Sequence, residues 1–251
     1  MIRRLLPAVV CVALLATPGG AWAQETPQTG APAGWTMHML EPYVVTFFEA
    51  ERLEVGRTDD AHAYLLDLQG WVGTDAGKFW AKVEGDGEID GALEEVELQA
   101  LYSRPVSPFF DLQLGIRQDL ATVEPRTYAV VGVQGLAPYW FEVDAAAFVS
   151  HTGDVTVRLE AEYDLLLSQR LILQPRAEID VALQDVEALG IGSGLSWADA
   201  GLRLRYELRR EVAPYVGLSW RQAFRGTAEA RRTGGDRVAS AALVAGVRLW
   251  Y

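Results

Sequence analysis

The chain has 251 residues, half of them hydrophobic, and a formal net charge of −12 at pH 7. This acidity argues against nucleic acid as a partner, because binding to the phosphate backbone relies on lysine and arginine. The length would suit one ordinary domain, but the pattern of the hydrophobic residues indicates a different class of protein.

The N-terminal residues have the anatomy of a cleavable secretory signal. Two arginines precede an apolar stretch at 5–15, and a small-residue pattern ends at Ala23. This stretch is shorter than the about 20 residues that a membrane-spanning helix needs, which argues against an anchor. We therefore expect residues 1–23 to be a signal peptide. Their removal also removes Cys11, the only cysteine, and so excludes disulfides, cysteine–zinc sites and a cysteine nucleophile.

Residues 24–39 are rich in proline, glycine and threonine, and we interpret them as a linker in the periplasm. From residue 40 onward, apolar and polar residues alternate over long segments. Between 155 and 165, for example, the apolar side chains share one parity, whereas Arg158, Glu160 and Glu162 share the other. Such runs are nearly twice as long as the strands of a soluble sandwich, which have about 5 to 6 residues.

Strands of about 9 to 11 residues match a tilted crossing of a bilayer, with the apolar parity toward lipid and the charged parity toward a lumen. We therefore predict that residues 40–251 form an all-β, antiparallel transmembrane β-barrel in the bacterial outer membrane. Its twelve strands are expected near 42–54, 62–74, 78–86, 92–103, 109–119, 127–136, 140–150, 154–166, 170–183, 197–209, 214–224 and 238–251.

The lengths of the connections predict that both termini are periplasmic, because periplasmic turns of such barrels are short and external loops are longer. Short connections are expected near 75–77, 104–108, 137–139, 167–169 and 210–213, and longer ones near 55–61, 119–126, 184–196 and 225–237. The connection at 151–153 is an exception, because it is short although it lies at the end of the barrel where the longer loops are expected. Pro175 conflicts with a closed ladder, and a bulge is expected there.

The last six residues, 246–251, alternate and end on Trp250 and Tyr251. This ending resembles the terminal strand by which the barrel assembly machinery recognises its substrates. The alternative is an ordinary last strand that carries part of an interfacial aromatic girdle. Both interpretations place the segment in contact with outer-membrane lipid.

The charged parity predicts a lumen crowded with ionisable side chains. Two interpretations stay open: a structural network of ion pairs that fills much of the lumen, and a selective path for a small charged species. The arginines expected there are Arg158, Arg176, Arg203, Arg205, Arg209 and Arg221, and the acids are Glu142, Asp144, Glu160, Glu162, Glu178, Asp180, Glu84, Glu95 and Glu97.

The sequence gives little support for catalysis, and we predict that the protein is not an enzyme. A lipase would need a nucleophilic serine and a histidine, but only His38, His62 and His151 are present and no G-x-S-x-G motif occurs. The glycines between 190 and 194 lack a following helix that could bind phosphate, so we interpret them as a flexible loop.

Several long runs of residues resemble the copper resistance protein B family, and the resemblance extends from about Phe47 to the end of the chain. They are LYSR at 101–104, PFFDLQ at 108–113, TYAVVGVQGLAPYWFEVD at 127–144, RLEAEYDLLL at 158–167, QRLILQPRAE at 169–178, LGIGSGLS at 189–196, AGLRLRY at 200–206 and APYVG at 213–217.

The resemblance implies an outer-membrane protein of copper homeostasis and resistance that binds copper ions without catalysis. It would sequester periplasmic copper or help to export it, together with periplasmic copper-handling proteins. Members of this family commonly carry an N-terminal segment crowded with methionine and histidine, whereas this chain has only Met37, His38 and Met39 there. The rival interpretation is a passive or selective small-ion pore with no direct role in copper handling.

Met37, His38 and Met39 are the metal ligands that we predict. Thioether sulfur suits Cu(I), and imidazole suits copper in either common oxidation state. Successive side chains of an extended segment point to opposite sides, so the three ligands do not converge easily. A weak copper site, alone or with Glu41, and a simple lead-in to the first strand are both compatible with the sequence.

Overall fold

The structure is a computed structural model that describes residues 43–58, 62–89, 93–120 and 125–251. The expected signal peptide, the linker and the candidate ligands Met37, His38 and Met39 lie outside the described residues. The described part contains twelve antiparallel strands, most of them 10 to 13 residues long. They are β1 Val45–Arg57, β2 His62–Thr74, β3 Gly77–Glu88, β4 Leu93–Pro105, β5 Phe110–Leu120, β6 Arg126–Ala137, β7 Phe141–Ser150, β8 Val155–Glu162 with its continuation Leu165–Leu166, β9 Leu171–Ala182, β10 Gly194–Tyr206, β11 Val212–Ala223 and β12 Ala239–Trp250.

The sheet closes on itself. Each strand pairs with its neighbours in sequence, and β1 pairs with β12 from Glu49 opposite Trp250 to Arg57 opposite Leu243. Because the sheet is closed, no strand has an unpaired edge, and the backbone N–H and C=O groups form hydrogen bonds between strands. A sheet can therefore lie in the hydrocarbon core of a membrane. The predicted all-β, twelve-strand antiparallel barrel is therefore confirmed, and the expected strand positions agree with the observed ones to within a few residues.

The two faces of the wall differ as the alternation predicts. Large apolar side chains such as Phe79, Ile116 and Leu243 are exposed on the outside, although water would not favour them there. Charged side chains such as Glu97 and Arg203 are buried on the inside. Exposed apolar outer positions and buried ionic inner positions are the arrangement of a barrel that contacts lipid.

The strands define two ends of the barrel, which we call the terminal end and the loop end. The terminal end carries both chain termini, and there the backbone of Phe48 exchanges hydrogen bonds of 2.9 and 2.8 Å with that of Tyr251. It also carries five connections of two to five residues, including the single turn Pro138–Trp140. The loop end carries the two longest described connections, 183–193 and 224–238.

Aromatic side chains gather at the terminal end. Phe79 and Tyr102 lie with ring centroids 5.1 Å apart, and Tyr139 and Trp140 are strongly exposed at the tip of their turn. Tyr139 and Trp140 have φ values of 67° and 68°, which non-glycine residues seldom adopt. This turn therefore directs both rings outward, at the level where an aromatic girdle would contact the lipid headgroups.

Pro175 does not produce the expected bulge, so this expectation was wrong. The pairs Arg176 with Glu162 and Leu173 with Leu165 lie in one continuous register, and Pro175 pairs normally with Leu202 on the other side. Tyr163 donates its N–H to the carbonyl of Pro175, but proline cannot return a hydrogen bond. The ladder therefore loses one hydrogen bond without inserting a residue, which is why β8 is interrupted there.

A bulge occurs instead in β1. Ala50 lies opposite Leu68, whereas Arg52 lies opposite Asp67, so Glu51 is the extra residue. The same irregularity recurs in the pairing with β12. A bulge shifts the alternation by one, so both Glu51 and Arg52 line the lumen although they are consecutive.

The connection after β11 forms a helix, α1 Arg225–Gly234, which the sequence did not lead us to expect. It ends at Gly235, whose φ of 83° is suited to glycine, and the N–H of Gly235 donates to the carbonyls of Arg231 and Arg232. Within the helix, Thr227 and Ala228 are buried. No helix among the described residues is long and apolar enough to cross a bilayer.

The tight β7–β8 connection is held by side chains. The Asp154 carboxylate accepts hydrogen bonds from Thr152 Oγ1 at 2.7 Å and from Arg126 Nη1 at 2.5 Å, while Ser150 Oγ accepts from the Asp154 N–H at 2.9 Å. The Thr152 hydroxyl, followed by Arg126, lowers the pKa of Asp154 below its usual value. These bonds hold the turn in one conformation.

A carboxylate with a lowered pKa stabilises the folded turn at pH values above its unfolded pKa, and this stabilisation is lost as the pH falls through the lowered folded pKa. We therefore expect the amides of Thr152 and Asp154 to lose protection from hydrogen exchange as the pH drops below about 4. Asp154→Asn should show weak protection already at pH 7. A variant whose protection stays at the wild-type level would contradict the role of the carboxylate.

Candidate functional site

The lumen is the candidate functional site, because the strands deliver charged side chains to it from all around the barrel. Alternate residues of each strand point inward, so every second side chain of a strand faces the lumen. β8, for example, presents Arg158, Glu160 and Glu162, and these lie in register with Asp180, Glu178 and Arg176 of β9. The predicted lumen-facing charges are thereby brought together as expected.

Arg158 is the centre of this network. Its guanidinium lies 3.2 Å from Asp180, 3.3 Å from Glu178, 3.3 Å from Glu97 and 3.6 Å from Glu84. Glu97 and Glu84 belong to β4 and β3, on another part of the wall. One arginine therefore links two parts of the wall, β8–β9 and β3–β4, across the lumen.

Other ion pairs also join strands that are not neighbours. Lys82 of β3 meets Asp144 of β7 at 2.7 Å, and Arg52 of β1 meets Glu84 of β3 at 3.1 Å. The most enclosed pair is Arg203 with Glu54 at 2.5 Å, whose side chains are 6% and 4% exposed. Such pairs hold strands that are not adjacent in the sheet at a fixed separation.

Apolar side chains fill part of the lumen beside the charges. Leu101, Tyr128, Val130 and Phe148 form a buried cluster against which Trp80 packs. The guanidinium of Arg117 lies 4.7 Å from the Phe148 ring centroid and 2.6 Å from Glu97. Arginine thus links the aromatic cluster to the acidic network, since it stacks on rings and pairs with carboxylates at the same time.

Most of the predicted lumen residues are found in this network, but Arg209 is not. β10 ends at Tyr206, so Arg209 lies exposed in the turn that leads to β11, and this prediction was wrong. The list of expected lumen charges also omitted Arg52, Arg117 and Lys82. The alternation of polar and apolar residues predicts that Arg117 and Lys82 face the lumen. It does not predict this for Arg52, because the bulge at Glu51 shifts the alternation by one residue.

The network leaves a cavity of about 490 Å³ that extends to Phe109 and Glu142 at the terminal end. Nine acidic and four basic residues line it, so its electrostatic potential favours cations. Among the described residues, no lysine or arginine forms a salt bridge with Glu51, Glu142 or Glu162. A smaller cavity of about 120 Å³, lined by Asp199, Ser219 and Arg221, lies toward the loop end.

One set of carboxylates among the described residues has the proximity of a metal site. Oxygens of Glu178, Asp180 and Asp199 lie within 4.8 Å of one another. Arg158 already pairs with two of these acids, and Arg221 lies 3.6 Å from the third. Oxygen ligands suit hard cations more than Cu(I), so this set does not replace the sulfur and imidazole ligands that the sequence predicts at Met37, His38 and Met39.

Comparison with known sequences gives a consistent result. Residues 44–251 match the protein family described as "Copper resistance protein B precursor (CopB)". The chain is 42% identical to the copper resistance protein B of Escherichia coli over 201 residues, which is 80% of this chain and 68% of that protein. It is also 42% identical to a copper resistance protein B homolog of Pseudomonas syringae pv. tomato over 206 residues, 82% of this chain and 70% of that protein.

Solved structures agree on the fold. The NanC porin superimposes with a TM-score of 0.55 at 13% identity, over 80% of this chain and 99% of the porin. The KdgM porin superimposes with a TM-score of 0.51 at 12% identity, over 82% of this chain and 98% of the porin. These similarities confirm the β-barrel fold. This fold, its apolar outer face and the family match together place the protein in the outer membrane.

Proposed function

Because this chain belongs to the copper resistance protein B family, we propose that it binds copper ions at the outer membrane and sequesters periplasmic copper or helps to export it. The family match over residues 44–251 is the observation that carries the proposal. In this role copper is a bound cargo, Cu(I) or Cu(II), and the protein is not an enzyme. Its partners are periplasmic copper-handling proteins, outer-membrane lipid and, during biogenesis, the barrel assembly machinery.

The charge of the lumen supports a role in handling cations. The larger cavity carries an excess of acidic residues, and it extends to the terminal end of the barrel. We propose that this end faces the periplasm, as the short connections and the adjacent chain termini favour. Copper released by periplasmic proteins would then meet an attractive potential at Glu51, Glu142 and Glu162.

We propose that Met37, His38 and Met39 bind the copper first, just before the barrel begins. They supply thioether and imidazole ligands, which the described lining of the two lumen cavities does not contain. Residues 1–23 are proposed to be removed on export, so that this segment lies near the new N-terminus.

Growth on graded copper tests the physiological role. A strain that lacks the gene should lose copper tolerance, and the full chain should restore it. A chain without residues 24–39 should restore it only in part. Unchanged tolerance after deletion of the gene would contradict the proposal.

Copper titration tests the ligands directly. We expect the triple variant Met37→Ala, His38→Ala, Met39→Ala to bind copper at least about tenfold more weakly than the wild-type mature chain. Thr36→Ala, in the same segment but without a metal ligand, is the matched control and should bind normally. Equal affinity of the triple variant and the control would remove this site while leaving the family role open.

The second candidate function is a passive or selective small-ion pore with no direct copper role, and the similarity to porins together with the cavity favours it. Single-channel recording in planar bilayers distinguishes the two. A steady conductance that copper does not alter, combined with normal copper tolerance of the deletion strain, would support the pore. The absence of conductance in either polarity, also when residues 225–234 are replaced by a short linker, would exclude it.

A further inference from the structure

The loop end of the lumen carries an element that neither copper binding nor the pore explains, namely helix α1. The position of α1 can be inferred from its contact with Trp197. In β10, Trp197 lies on the same face of the strand as Asp199 and Gly201, which line the lumen. Trp197 pairs in register with Asp180, another residue of the charged network. The indole of Trp197 therefore belongs to the inner face of the wall, close to the loop end.

Two arginines approach this indole. The guanidinium of Arg221, which lines the smaller cavity, lies 4.6 Å from the ring centroid, and that of Arg231 in α1 lies 5.2 Å from it. Arg231 is oriented by its own hydrogen bond, in which its Nε donates to the carbonyl of Arg237 at 2.7 Å. A residue of the loop helix thus contacts a residue of the lumen wall, so α1 lies at the loop-end mouth of the lumen.

A second set of contacts holds the other side of the helix. The buried hydroxyl of Thr227 accepts a hydrogen bond of 2.9 Å from the N–H of Gly192, in the connection between β9 and β10. A Cβ atom on Gly192 would lie 2.5 Å from the Cα of Gly226, so the two backbones meet where only glycine fits. Gly192 therefore serves close packing, which corrects our interpretation of 190–194 as a merely flexible loop.

We propose that helix α1 is a lid that closes the loop-end mouth of the lumen and is held there by Arg231 stacked on Trp197. With the lid in place, the lumen is a vestibule that is entered from the terminal end. Passage through the barrel requires α1 to swing away from Trp197 and Gly192. This inference concerns access to the lumen and does not depend on which ion, if any, binds there.

Thiol labelling tests the lid, because the chain from residue 24 onward contains no cysteine. Ser219→Cys places a thiol on the smaller cavity beneath the lid, and Glu142→Cys places one at the terminal end. The mature protein is refolded in detergent, and the rate of reaction with a bulky maleimide is measured for each thiol. Shift of the folded band on unheated gels checks that each variant forms the barrel.

We expect Arg231→Ala to accelerate labelling of the Ser219→Cys thiol roughly fivefold, because the contact that retains the lid is lost. The adjacent and exposed Arg232→Ala is the matched control and should leave the rate unchanged. Neither variant should change labelling of the Glu142→Cys thiol. Gly192→Val, which wedges the two loops apart, should accelerate labelling of the Ser219→Cys thiol as Arg231→Ala does.

A chain with 225–234 replaced by a short glycine–serine linker sets the rate for an open mouth. The proposal is overturned if the wild-type lid already gives that rate, since α1 then does not cover the lumen. It is equally overturned if Arg231→Ala labels no faster than Arg232→Ala. Loss of copper binding has no bearing on either result, so the lid and the copper proposal fail independently.

Discussion

Arg203→Ala is expected to lower the free energy of unfolding of the barrel by about 3–5 kcal/mol. Arg203 and Glu54 form the most enclosed ion pair of the described lumen, with 6% and 4% of their side chains exposed. The Tyr215 hydroxyl donates a further hydrogen bond of 3.1 Å to the same Glu54 oxygen. Removal of the arginine therefore leaves a buried carboxylate with one neutral donor in place of a charged partner.

Reversible urea unfolding of the barrel in lipid, followed by tryptophan fluorescence, measures this loss. Arg209→Ala removes the same charge from an exposed turn of the same region and should change stability by no more than about 0.5 kcal/mol. The double variant Arg203→Met with Glu54→Gln should recover much of the loss, because no buried charge is then left unpaired. Equal stabilities of Arg203→Ala and Arg209→Ala would show that the pair does not contribute to stability.

The barrel itself was predictable because lipid and lumen impose opposite demands on alternate residues. In β8 and β9 the inward parity is charged and the outward parity apolar, so the sequence from 155 to 182 specifies both strands and their facing sides. Such a signal survives without any tertiary information. The closure of β1 on β12 is implied as well, because an unpaired edge is not tolerated in hydrocarbon.

Local departures from the ladder were harder to predict. At Pro175 the missing N–H suggested a bulge, but the strand keeps its register and forgoes one hydrogen bond with Tyr163. At Glu51 the bulge exists, and its signal was present: two consecutive charged residues, Glu51 and Arg52, break the alternation between Glu49 and Glu54. A parity break in an otherwise regular strand is therefore better evidence of a bulge than a proline is.

The loop-end helix was missed because only tertiary contacts reveal its role. The segment from 225 to 234 contains alanine, glutamate and arginine, which favour a helix, and a glycine follows at the position of a C-cap. Its length is too short for a stable isolated helix. The helix is stabilised by contacts with Gly192 and Trp197, which are distant in sequence. No local sequence pattern predicts such contacts.

Arg158→Gln is expected to raise cation conductance through the barrel once the lid is removed. Among the described ion pairs, Arg158 is the one basic residue that pairs with all three of Glu97, Glu178 and Asp180. At about 6 Å and an effective dielectric constant near 20, loss of one positive charge lowers the energy of a passing monovalent cation by ~3 kcal/mol. Allowing for screening by salt, we expect a conductance about tenfold higher.

The measurement compares single-channel currents of barrels in which 225–234 are replaced by a short linker, with and without Arg158→Gln. The reversal potential in a salt gradient should shift toward the cation value in the Arg158→Gln barrel, because the carboxylates it leaves behind repel anions. Arg209→Gln changes the net charge equally but lies outside the lumen, so it should alter neither current nor selectivity. If Arg158→Gln behaves like Arg209→Gln, the apolar cluster around Phe148 closes the lumen, and the ion-pair network serves only to hold the walls together.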